Sequence, residues 1–190
     1  GKTFYTSNAG LQELRKAISG YTQRKTGITY NPENQIIVTV GGSEAIDLAL
    51  RALLNAGDEV IYLEPGFVSY NPCIKLADGV PVPIRLTEEN RFRLKPEQLE
   101  AAVTPKSKVL ILSYPNNPTG AVMEKEDLEA LLPIIQKHDL IILSDEIYGG
   151  LIYGVKHCSI AGLPGMEERT VIINGFSKSF AMTGWRWNCS

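Results

Sequence analysis

Six short apolar runs recur along the chain, near Ile36–Val40, Glu59–Leu63, Val80–Ile84, Val109–Leu112, Ile141–Ser144 and Val171–Asn174, and helical stretches separate most of them. Short, near-continuous apolar runs suit strands buried on both faces, and strands that alternate with helices build a parallel sheet. Helices are predicted over residues 11–24, where Leu11, Leu14, Ile18 and Tyr21 recur at helical spacing, and over Ser43–Leu54, Phe67–Leu76, Lys95–Ala102 and Lys125–His138. In the last, Glu124, Glu126 and Asp127 sit near the start and Lys137 and His138 at the end, as the helix dipole favours. Pro133 is expected to kink or interrupt it. The fold class is therefore α/β, a mostly parallel sheet with helices on both faces. At 190 residues the chain can bury one substantial core, and a single domain over 1–190 is the expectation.

Open sheets of this kind bind ligands beyond the carboxyl ends of their strands, so the residues there are the candidates. The run Leu140–Leu143 ends in Ser144-Asp145-Glu146-Ile147-Tyr148. Asp145 could hold a proton on a ring nitrogen and Tyr148 could bond a nearby oxygen; equally, Asp145 could cap the following turn. Lys178 follows Val171–Asn174 and is flanked by Phe176, Phe180, Met182 and Trp185. Apolar surroundings would favour a neutral, nucleophilic amine able to form a Schiff base with an aldehyde. The plainer alternative is a lysine reaching out of a core into water. Arg186 is a fixed cation suited to a phosphate. Val38–Val40, Gly41-Gly42 and Ser43 form a strand, glycine turn and helix start that could receive an anion, though the pattern is neither a P-loop nor a dinucleotide fingerprint. Ser113-Tyr114-Pro115-Asn116-Asn117-Pro118-Thr119-Gly120 makes a rigid turn with an amide at another strand end.

Taken together, these segments resemble the pyridoxal-phosphate aminotransferases of fold type I, class I/II, from Tyr5 to Arg186. The resemblance implies the large, cofactor-binding domain of that family, a three-layer α/β/α arrangement around a seven-stranded sheet, with pyridoxal 5'-phosphate as cofactor. It implies that Lys178 holds the cofactor aldehyde and then carries a proton, and that Asp145 keeps the pyridine nitrogen protonated. Tyr148 and Asn117 would bond the ring oxygen and Phe67 would stack on the ring. Gly42, Ser43 and Arg186 would bind the phosphate. Tyr5 would reach the phosphate of a neighbouring subunit, which implies a homodimer with shared sites. The substrates would be an amino acid and a 2-oxo acid. Glu64 and Tyr70 flank the aromatic loop and could equally cap a turn or fill space, Trp185 reads as core packing, and none of the three is placed in the site.

The departures from the family pattern matter as well. Gly175 stands where many relatives carry a phosphate-binding Ser, and the chain reads Trp187-Asn188-Cys189-Ser190 after the Trp-Arg pair. No residue matches the arginine that binds the substrate α-carboxylate, which the small domain supplies. The first residue is not Met. The chain is therefore expected to be a fragment, less stable than the full-length protein and impaired in turnover. Carbon–sulfur β-elimination, aminocyclopropane synthesis, a non-catalytic sensor domain and a catalytically dead dimerising scaffold are the other readings of the same residues.

Composition narrows the remaining classes. A formal charge of −2 gives no electrostatic reason to expect nucleic acid or a membrane surface, and no basic patch or helix-turn-helix pattern is visible. Cys73, Cys158 and Cys189 are scattered and odd in number, which argues against a disulfide framework or a zinc site and suits a reducing cytoplasm. With only His138 and His157 present, a histidine-based metal site is not expected. No signal peptide or membrane span is legible.

Overall fold

The computed structural model of the chain describes residues 1 and 3–184. They fall into two compact units, Gly1–Val40 and a larger one that starts at Gly41. In the first unit, helix α1 (Gln12–Thr26) closes on Gly27, whose N–H bonds the Gln23 carbonyl at a left-handed φ of 83°. Its predicted apolar stripe is only partly used: Leu11 is exposed and Leu14, Ile18 and Tyr21 are half-buried, whereas Arg15 and Ser19 are buried. Those two polar side chains tie the helix to the following loop. Arg15 Nη1 donates to the carbonyls of Pro32 (2.6 Å) and Glu33 (3.1 Å), and Ser19 Oγ donates to that of Tyr30 (2.6 Å). The strand expected at Ile36–Val40 is absent. Val38 N–H bonds the Ala9 carbonyl at 3.0 Å, but no ladder forms, and only Ile36 of that run is buried.

The larger unit is the predicted α/β core. Its elements run α2 (Gly42–Leu53), β1 (Glu59–Glu64), α3 (Tyr70–Leu76), β2 (Val80–Arg85), α4 (Pro96–Ala102), β3 (Ser107–Ser113), α5 (Lys125–Glu129), α6 (Leu132–Lys137), β4 (Ile141–Asp145) and β5 (Thr170–Ile173). Three single 3-10 turns lie at Glu88–Asn90, Ile160–Gly162 and Glu167–Arg169. The described residues give a five-stranded sheet in the order β2-β1-β3-β4-β5, with every pairing parallel. Two helices deviate from expectation. The helix predicted from Phe67 begins at Tyr70, and Lys125–His138 is split into α5 and α6. Pro133 lies in the first turn of α6, where its missing N–H costs no helical bond.

The period-two geometry of the strands sorts their side chains into two cores. Val60, Tyr62, Val109, Ile111 and Leu143 face α2 and α3, where Ile46, Leu50, Tyr70 and Ile74 cover them. Ile61, Leu63, Leu110, Leu112 and Ile142 face α4, α5 and α6, where Leu99, Leu128, Leu131 and Ile135 cover them. The result is a three-layer α/β/α unit. Leu110, on the central strand, has no exposed surface. Leu110→Ala is expected to destabilise the intact protein by about 2–5 kcal/mol in urea unfolding; a loss below about 1 kcal/mol would show that this core is not what holds the sheet.

Candidate active site

Because all five strands are parallel, their following loops leave from one edge. β1 continues to β2 on one side and is flanked by β3 on the other, so the chain reverses direction across the sheet between β1 and β3. Ligands bind at such switch points. The loops that follow β1 and β3 meet there: Asn116 Nδ2 donates to the Pro65 carbonyl at 3.3 Å. The Asn116 side chain is buried and its Oδ1 also accepts from Thr119 N–H (3.2 Å) and Thr119 Oγ1 (2.8 Å). Asn116 therefore shapes the turn, and Asn117 is the half-buried amide beside it. The Glu64–Pro65, Tyr114–Pro115 and Asn117–Pro118 bonds are all cis.

Asp145, the last residue of β4, faces the α2/α3 layer, opposite in direction to Ser144 and Glu146. It is 7% exposed and pairs in register with Ser113 of β3. Its Oδ2 accepts the phenol O–H of Tyr70 at 2.7 Å and its Oδ1 accepts Ile147 N–H at 3.2 Å. Asp145 thus caps the next turn, as the plainer reading held, and also holds a partner 75 positions away. Burial pushes its carboxyl above the ordinary range, and the bonds from Tyr70 and Ile147 pull against that rise. A carboxylate offers about four acceptor sites, so two remain for a further N–H donor. Those free acceptor sites fit the N–H of a protonated ring nitrogen.

Three further segments pack on the loop that follows Asp145. Glu146 N–H bonds the Ile173 carbonyl at 2.8 Å, which joins the loop after β4 to the end of β5. Ile147 lies against two glycines: an added Cβ would stand 3.4 Å from Ile147 Cδ1 at Gly42 and 3.2 Å from it at Gly175. Gly42 starts α2 and Gly175 leads to Lys178. A Cβ on Gly150 would meet Ser179 Cβ at 2.9 Å, so the loop after Tyr148 packs closely on the turn that carries the lysine. Lys178 Nζ stands 5.7 Å from the centroid of the Tyr148 ring. This is within the range of a cation–π contact.

One expectation about the lysine is corrected. Lys178 is exposed; Phe176 and Phe180, 40% and 49% exposed, contact each other with ring centroids 5.7 Å apart instead of burying it. The desolvating surroundings read from its chain neighbours are not formed by these two rings. Phe67 is half-buried and meets Tyr70 edge-on, with centroids 5.7 Å apart at 81°. Ser43 is exposed in the first turn of α2. Tyr5 is fully exposed in the smaller unit. Arg186 lies outside the described residues, as does Trp185. Glu64 accepts the Tyr62 phenol at 2.7 Å. Tyr70, read from the sequence as capping a turn or filling space, bonds Asp145 instead, a contact that sequence reasoning missed.

On the opposite face of β4, Glu146 anchors the same loop. Its Oε1 accepts from Ser144 Oγ (2.9 Å) and Ser159 Oγ (2.6 Å), and its Oε2 lies 2.8 Å from His157 Nε2. The residue is 3% exposed. The loop carrying Ile147 and Tyr148 is thereby fixed from beneath.

The α/β unit thus has an acid at the end of one parallel strand, a lysine after the next and a glycine-led helix start. Comparison with known proteins gives the family. The model of aminotransferase class I and II matches residues 1–188. Over 187 residues the chain is 50% identical to the aromatic-amino-acid aminotransferase 2 of Thermococcus litoralis and 49% identical to the aspartate aminotransferase of Pyrococcus abyssi. Each match covers 98% of this chain and 48% of the relative, so the chain spans about half the length of these relatives. Among solved structures, the aromatic aminotransferase from Pyrococcus horikoshii superposes with a TM-score of 0.94 at 48% identity, covering 97% of this chain and 49% of that one. The aspartate aminotransferase from Thermus thermophilus with maleate superposes at 0.92 with 44% identity, covering 97% and 48%. The chain belongs to the class I and II aminotransferase family, whose members depend on pyridoxal phosphate. No helix among the described residues is long and apolar enough to cross a membrane.

Removing the Glu146 carboxylate would leave two buried hydroxyls and an imidazole without their acceptor. Glu146→Ala is expected to cost about 3 kcal/mol in denaturant unfolding and to speed amide exchange over residues 146–160. A change confined to less than about 0.5 kcal/mol would mean that the loop is held by backbone bonds alone.

Proposed function

We propose that the chain is the cofactor-binding part of an aminotransferase that moves an amino group between an amino acid and a 2-oxo acid on pyridoxal 5'-phosphate. The observation that carries this reading is the buried carboxylate of Asp145 at the sheet edge, with spare acceptor sites, beside a loop packed on the turn of Lys178. Pyridoxal phosphate, when bound, supplies an electron-withdrawing ring that delocalises the charge left by removal of an α-proton. Asp145 would accept the N–H of the ring nitrogen and stabilise the protonated ring. Tyr148 and Asn117 would bond the ring oxygen. Phe67 would cover one face of the ring and keep water from it. Gly42 and Ser43 would offer α2 N–H groups to the phosphate, with Arg186 as the matching cation. Lys178 would bond the aldehyde carbon, would be freed as an amine when the substrate amino group replaces it there, and would then carry the α-proton to that carbon.

The names of the relatives favour amino-group exchange over elimination, and they cover both dicarboxylic and aromatic amino acids. A homodimer in the cytoplasm is part of the same proposal: the complete exposure of Tyr5 suits a residue that completes a neighbour's phosphate site.

In the intact protein, Lys178→Ala is expected to abolish the near-ultraviolet and visible absorption of the covalently held cofactor and to slow amino-group exchange by about 10²–10⁴-fold. An unchanged band would refute the assignment of Lys178. Release of pyruvate and ammonia from cystathionine, without exchange between amino-acid and oxo-acid pairs, would show a lyase instead.

A further inference from the structure

We propose that Tyr70 is a positioning residue for this site: its phenol O–H, donated to Asp145 Oδ2, fixes the orientation of the carboxylate and leaves the remaining acceptor sites for the ring nitrogen of the cofactor. The inference rests on the reading of Asp145 as the partner of that nitrogen and extends it to a residue in α3.

Tyr70 is 1% exposed and is among the largest fully buried side chains. It opens α3, which packs on the sheet face from which Asp145 projects. A phenylalanine would fill the same apolar space without burying a hydroxyl, so the chemistry of this position lies in the O–H group. That group has one proton, and the 2.7 Å bond commits it to Asp145. Burial, and then the adjoining carboxylate, push the phenol far above its ordinary range, so it remains a donor throughout the working pH range. Ser113 stands beside Asp145 in the sheet register. Phe67 meets the Tyr70 ring edge-on at 5.7 Å. One tyrosine therefore couples the predicted stacking ring to the predicted partner of the ring nitrogen.

The coupling also resolves a conflict inside the site. A carboxylate that serves a protonated ring must be ionised, whereas its burial opposes ionisation. The bond from Tyr70 stabilises the ionised form without bringing in water or a competing cation.

The test is a double-mutant cycle on pyridoxal phosphate affinity in the intact protein, read from absorbance titrations of wild type, Tyr70→Phe, Asp145→Asn and the double variant. Tyr70→Phe alone is expected to weaken binding about tenfold, as loss of a hydrogen bond to a charged group does. In the Asp145→Asn background the same substitution should change affinity less than about twofold, because Tyr70 acts through the carboxylate. An equal loss in both backgrounds, or no loss in either, would overturn the proposal and leave Tyr70 as packing. If Asp145→Asn itself leaves affinity and spectrum unchanged, the reading of Asp145 has failed first, and the inference fails with it. Circular dichroism tests whether Tyr70→Phe is folded. If it is not, Tyr70→His, which keeps a ring N–H donor, carries the cycle: affinity within about threefold of wild type supports the role, and a tenfold loss overturns it.

Discussion

A carboxylate taken out of water at the end of an otherwise apolar strand is the constraint around which the larger unit is arranged. Ile142 and Leu143 are fully buried, and Asp145 follows Leu143 into the α2/α3 layer with 7% of its surface exposed. Burying an anion destabilises a fold unless donors meet it, and here Tyr70 from one side and Ile147 N–H from the other do so. The sign of the pH dependence follows. With its carboxyl pushed up by burial, Asp145 contributes no penalty below the ordinary carboxylate range. It destabilises the cofactor-free protein as the pH rises through the raised value. A cationic ring nitrogen would relieve that penalty, so the cost of keeping the charge buried becomes affinity for the cofactor.

The rest of the sheet makes this placement possible. Parallel pairing sends every loop that follows a strand to one edge, and period-two alternation sends Asp145 towards α2 and α3 while Ser144 and Glu146 face the other layer. The two acids adjacent in sequence thus have separate work. Asp145 faces the candidate cofactor site, and Glu146 fixes the loop from the far side through Ser144, Ser159 and His157. Close packing of Gly42 and Gly175 on Ile147, and of Gly150 on Ser179, brings the start of α2 and the lysine turn to the same edge.

Much of this was legible in the residues. The apolar runs gave five of the expected strands because strands buried on both faces need no partner information to be recognised. The run at Ile36–Val40 failed because apolar content alone does not supply a ladder partner, and α1 buried Arg15 and Ser19 through backbone carbonyls that no periodicity reveals. Asp145, Lys178 and Gly42 stand at strand and helix ends, where chemistry is expected. Tyr70 does not announce itself, because its role depends on a contact across 75 positions. The burial expected for Lys178 rested on residues adjacent in the chain, and adjacency in a turn does not place Phe176 and Phe180 over the amine.

The account stands on Asp145 meeting a protonated ring nitrogen, and nitrogen-15 magnetic resonance of the intact protein loaded with ring-labelled pyridoxal phosphate reads that contact directly. The account predicts a protonated nitrogen across neutral pH in the wild type and an unprotonated one in Asp145→Asn. The same protonation state in both proteins would contradict it.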